Sequence, residues 1–150
     1  MNRLILALAL AAALPAAHAT AGAPDLSKVN GSLTAEAGKT YGDIDTVNGS
    51  ITLEDKAVAR NVETVNGSIT LEPFARAHDV STVNGRILLR NGAAARSVET
   101  VNGSIVGVSN LRVEKTVEAV NGSIELGAHS LIGGNVETVN GSIKLLSMKV

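Results

Sequence analysis

Thr64-Val65-Asn66-Gly67-Ser68-Ile69-Thr70-Leu71 is one copy of a phrase that recurs along the whole chain. Val-Asn-Gly begins at Val29, Val47, Val65, Val83, Val101, Val120 and Val139, so four steps of 18 residues are followed by two of 19. A fixed period of this length marks a repeat architecture, in which each unit is too small to bury its own apolar face and stacks on its neighbours.

Aligned on the valine, the apolar residues fall into columns. Four residues on stand Leu33, Ile51, Ile69, Ile87, Ile105, Ile124 and Ile143; six on stand Ala35, Leu53, Leu71, Leu89, Gly107, Leu126 and Leu145. A spacing of two is that of a strand with one buried face. A second strand precedes each Val-Asn-Gly, with Ile44, Val62, Val80, Val98, Val117 and Val136 as its inward column. The return segment carries Ala57, Ala59, Ala75, Ala77, Ala93 and Ala95, which predicts a narrow third side. In the last two 19-residue steps Leu111, Val113, Leu131 and Ile132 take over there and predict wider turns.

Asn-Gly between alternating strands is also the strongest local signal for a two-residue hairpin, which would give an antiparallel meander. Constant period favours the solenoid instead: parallel stacking puts each residue on its own counterpart, Ile on Ile and Asn on Asn, an identity that hairpin pairing does not need. The expected fold is therefore all-β, a single-stranded β-solenoid of about seven rungs, spanning residues 29–150. Asn30, Asn48, Asn66, Asn84, Asn102, Asn121 and Asn140 form its expected structural ladder, each amide donating to the next if the column points inward. Gly31, Gly49, Gly67, Gly85, Gly103, Gly122 and Gly141 are the expected corner glycines, supplying a conformation that a β-carbon would resist. Strict alternation would turn the valine column outward; a bulge or early corner would bury it, and burial is the expectation for a soluble surface.

Ahead of the repeats, Asn2 and Arg3, the apolar run Leu4 to Leu14, Pro15 and Ala17-His18-Ala19 have the form of a secretory signal peptide over residues 1–19. Residues 20–28, without the repeat signature, read as a leader or cap. The expected mature chain has no further membrane span, and its expected location is periplasmic or extracellular. There is no cysteine, so stacking rather than disulfides must hold the fold. A net charge of -1 with acids and bases interspersed gives no reason to expect nucleic acid, and Tyr41 and Phe74 alone offer little stacking surface.

The outward positions carry some charge order: Asp45, Glu63, Ser81, Glu99, Glu118 and Glu137 in one column, Arg60, His78 and Arg96 in another. Both read as solvated faces. Arg86, in place of the usual serine, adds a cation expected near Arg90 and Arg96. His78 and His129 are too far apart along the axis for a zinc site, and no cofactor is indicated. The serines of Gly-Ser-Ile lack the context of a catalytic nucleophile.

The repeated Val65-Asn66-Gly67-Ser68-Ile69 and Val101-Asn102-Gly103-Ser104-Ile105 resemble a bacterial adhesin-type family of unknown function, whose domains are β-solenoids with V-N-G-x-I rungs. More distantly the chain is similar to the bactofilins, polymer-forming β-solenoids. The resemblance covers Val29 to Leu145 and implies architecture, with no catalytic residues to carry over. The expected function is a non-enzymatic, exported adhesin or structural module of the cell envelope, with an envelope glycan or protein, or another copy of itself, as partner. Alternatives are a self-assembling scaffold, an ice-binding rod using Thr46, Thr64, Thr82, Thr100 and Thr138, and a polysaccharide-acting β-helix enzyme.

Overall fold

The computed structural model describes residues 22–146. The expected signal peptide at 1–19 and the tail at 147–150 lie outside the described residues. Among the described residues the strands pair in parallel and join equivalent residues of successive copies, such as Ile44 with Val62, Thr46 with Thr64 and Asn48 with Asn66. The hairpin alternative is thereby excluded, and the chain is a β-solenoid whose two main sheets have seven strands each.

Face A stacks Leu26–Asn30, Ile44–Asn48, Asn61–Asn66, Asp79–Asn84, Ser97–Asn102, Val117–Asn121 and Val136–Asn140. Face B, reached after the Asn-Gly corner, stacks Leu33–Ala35, Ile51–Leu53, Ile69–Leu71, Ile87–Leu89, Ile105–Gly107, Ile124–Leu126 and Ile143–Leu145. Face C consists of Ala94–Ala95, Arg112–Val113 and Leu131–Ile132, continued toward the N-terminus by single bridges through Arg76, Val58 and Thr40. The first strand starts at Leu26, which pairs with Ile44, so the solenoid begins inside the segment read as a leader.

The predicted columns form the core. Ile51, Ile69, Ile87, Ile105 and Ile124 are fully buried one above another, as are Leu53, Leu71 and Leu89, with Leu126 fully buried on the far side of Gly107. Each such side chain contributes about 1.5–3 kcal/mol when buried. The alanines at 57, 59, 75, 77, 93 and 95 are buried too, and keep face C close to the axis. In the longer turns Leu111, Val113 and Ile132 are buried, whereas Leu131 points out. Leu111 has a specific place to go: a β-carbon on Gly107 would lie 2.1 Å from its Cδ1, so it fills the volume that Gly107 leaves.

The valine column corrects the expectation of burial. Alternation is kept throughout face A: Thr64 is buried at 3 % exposure, Glu63 and Val65 are half-buried on the outer side, and Val29 and Val139 are 63 % and 52 % exposed. Val83 alone in that column is buried. The inward threonine is stable because its hydroxyl has a partner: Thr46, Thr64 and Thr82 Oγ1 donate to the carbonyls of Gly31, Gly49 and Gly67 one turn below, at 3.0–3.1 Å. A polar atom thus satisfied can be buried.

Candidate ligand-binding groove

Around Asn66 the Asn-Gly corner is held by three bonds. Gly49 N–H donates to Asn66 O at 3.0 Å, Thr64 Oγ1 donates to Gly49 O at 3.0 Å, and Asn66 Nδ2 donates to Asn48 Oδ1 at 2.9 Å. The asparagine ladder runs unbroken through Asn30, Asn48, Asn66, Asn84, Asn102, Asn121 and Asn140, at 2.9–3.0 Å per step. It lies on the solvent side, since all seven asparagines are exposed. The inward ladder considered from the sequence is therefore displaced outward, and removing one amide forfeits exposed bonds rather than stranding buried groups.

The corner glycines are required for a different reason from the expected one. Of the seven, only Gly31 has positive φ, at 121°. The others are excluded from carrying a side chain by the turn beneath: a β-carbon on Gly67 would stand 1.9 Å from Gly49 O, and one on Gly122 1.7 Å from Gly103 O. Left-handed backbone occurs instead at the next corner, between faces B and C, where Gly38, Lys56, Phe74, Gly92, Asn110 and His129 occupy one column with φ between 52° and 75°.

Outside the core, faces A and C each carry a column of charged residues. On face A, Asp45 stacks on Glu63, and Glu99 on Glu118, in register. Burial pushes the Glu63 carboxyl up to about 7, with Asp45, Asp43, Asp79 and Glu99 adding repulsion, and pushes Asp45 up to about 6, with Asp43 and Asp25 adding to it. Asp43 goes the other way: Arg60 Nε and Nη2 each donate to it at 2.9 Å and hold its carboxyl below the usual range. Among the described residues, no group of three or more His, Asp or Glu is placed to hold a metal ion.

Face C carries the opposite sign and a concavity of about 750 Å³ running along the axis. Its floor is the outward column Val58, Arg76, Ala94 and Arg112; one wall is the left-handed corner with Phe74, Gly92 and Asn110, and the other holds His78, Arg96 and Glu114. The hollow exists because Ala94 and Gly92 are small between larger neighbours. Phe74 is 54 % exposed and lies against Gly92, where an added β-carbon would meet its ring at 2.6 Å. Among the described residues Arg76, Arg96 and Arg112 have no ion-pair partner, unlike Arg60 with Asp43 and Arg90 with Glu72.

Several sequence expectations are thus rearranged. Arg96 and His78 line the groove, but Arg86 and Arg90 do not, so the triplet Arg86, Arg90 and Arg96 is not brought together. Thr46, Thr64, Thr82 and Thr100 face the interior, which removes the exposed threonine array that suggested ice binding. Phe74, dismissed as a lone aromatic, is the exposed ring of the groove. The signal that could have located it is the column nine residues after each valine, where Gly38, Gly92 and Asn110 disclose a left-handed position that Phe74 shares. Compared with protein families, with curated proteins and with solved structures, the chain shows no significant match.

Proposed function

We propose that this chain is a non-enzymatic, exported β-solenoid that serves a bacterial cell envelope as an adhesive or structural module, in keeping with the adhesin-type family it resembles. The observation that carries this reading is the repetition of surface groups at one rung spacing, about 4.8 Å, along a rigid axis. Such a surface meets a repetitive partner many times weakly, and the contacts add as avidity. The non-enzymatic part is supported by the groove's composition: Glu114 is its one carboxylate, where glycoside hydrolysis commonly uses a pair.

The test is co-sedimentation of the purified full-length chain with isolated envelope material, followed by assay for newly released reducing ends. Sedimentation without release is expected. A protein that stays in the supernatant overturns the envelope role, and released reducing ends overturn the non-enzymatic one.

A further inference from the structure

We infer that the face C groove binds an acidic polysaccharide, specifically a β-1,4-linked chain of uronic acids laid parallel to the solenoid axis. This deepens the adhesive reading by naming the ligand class of one surface. Three features of the groove converge on it.

The first is charge. The lining brings Arg76, Arg96, Arg112 and His78 together against the single carboxylate Glu114. The three guanidinium groups have no ion-pair partner among the described residues, so their donors are available to an incoming anion. Arginine's planar fork matches a carboxylate in a way that a point charge does not.

Spacing is the second feature. Arg76 and Arg112 occupy one outward column with Ala94 between them, which places them two rungs apart, about 9.6 Å along the axis. In a two-fold, β-1,4-linked pyranose chain, one sugar advances about as far as one rung, and alternate carboxylates point to the same side. A uronic acid chain therefore presents successive same-side carboxylates near the separation of Arg76 and Arg112, with the intervening sugar over Ala94. Arg96, on the wall, faces the carboxylate that points the other way.

Phe74 is the third. It holds a left-handed backbone, φ 61°, in the column it shares with Gly38, Lys56, Gly92, Asn110 and His129, and it exposes its ring to solvent at the groove wall. A bulky side chain in that region is an outlier that folding does not favour. An aromatic face beside guanidinium groups suits the apolar C–H face of a sugar whose carboxylate is held nearby. A single ring serves one sugar, whereas a nucleic acid strand would use a succession of rings for its bases.

The experiment is calorimetric titration of the full chain with a hexamer of β-1,4-linked mannuronate at low salt. Binding is expected, with affinity falling as salt rises. Arg76→Ser/Arg112→Ser should weaken it by at least about tenfold, while Arg86→Ser, outside the groove, leaves it unchanged. Phe74→Gly should lower affinity while melting at the same or a higher temperature, which separates a ligand contact from a structural role. Absence of hexamer binding, or unchanged binding by the double arginine variant, overturns the inference. Tighter binding of a single-stranded oligonucleotide of equal charge, lost in the same double variant, overturns it in favour of a nucleic acid. Hexamer binding by a protein that ignores envelope material leaves the groove assignment standing and removes the envelope role; envelope binding unaffected by the groove variants does the reverse.

Discussion

Gly67→Ala tests why the corner needs glycine. The new methyl would lie 1.9 Å from Gly49 O and 2.5 Å from Gly49 C, both main-chain atoms fixed by the turn below. Ordinary contact requires the two turns to part by more than about 1 Å at this corner. That opening stretches Gly49 N to Asn66 O, Thr64 Oγ1 to Gly49 O and Asn66 Nδ2 to Asn48 Oδ1, now 2.9–3.0 Å, beyond bonding range. At about 1 kcal/mol each the loss is about 3 kcal/mol, equivalent to a fall of roughly 10 °C in Tm. Gly67→Asn separates the two explanations. A left-handed requirement would make Asn clearly better than Ala, whereas close approach penalises both alike. Thermal and urea unfolding followed by far-ultraviolet circular dichroism measure both variants. An alanine variant within about 0.5 kcal/mol of the parent, or an asparagine variant that restores most of the loss, would refute the close-approach account.

Three further outcomes follow from the same geometry. Asp45 and Glu63 titrate at about 6 and about 7 in the folded chain, against ordinary values of 3.8 and 4.5. Their raised values contribute stability that is full below about pH 4 and is lost as pH rises through 6 and 7. Urea midpoints should therefore fall between pH 5 and pH 8, by on the order of 2 kcal/mol after allowing for partial solvent screening; a flat or rising profile contradicts this. The paired Asp43, held low by Arg60, opposes the trend only in stronger acid. Thr64→Val keeps shape but removes the buried donor to Gly49 O, and should cost about 1 kcal/mol in chemical denaturation. Lys56→Gly relieves a left-handed backbone at φ 61° and should raise stability by about 0.5–1 kcal/mol despite the added chain entropy of glycine; a lowered Tm would show that the lysine side chain contributes more than the strain costs.

The period and the columns were enough to read the fold, because parallel stacking makes a residue's neighbours along the axis its own counterparts in the repeat. Ile69 had to meet Ile51 and Ile87, and it does. What the columns do not contain is the relation between one face and the next. The valines were expected inside because exposed apolar residues are unfavourable, but Thr64 takes the inner place once Gly49 O is there to accept its hydroxyl, and that carbonyl is contributed by a different turn. The glycine requirement was misassigned for the same reason, as its cause is a contact between turns rather than a local dihedral angle. The groove was illegible because it depends on three columns meeting around Ala94, with Phe74 and Arg96 on opposite walls although they are 22 positions apart in the chain. Charges that look interspersed along the chain form columns once wound, with Asp45, Glu63, Glu99, Glu118 and Glu137 on face A and Arg76 and Arg112 on face C.

Parallel stacking itself is tested most directly by distances along the axis. The chain has no cysteine, so spin labels can be placed cleanly on serines of the corner column, none of them buried, pairing Ser32 in turn with Ser104, Ser123 and Ser142, four to six turns away. Pulsed dipolar spectroscopy should give separations that lengthen by about 4.8 Å per turn and reach about 29 Å at Ser142. Separations that level off or turn back as the second label moves along the chain would contradict it.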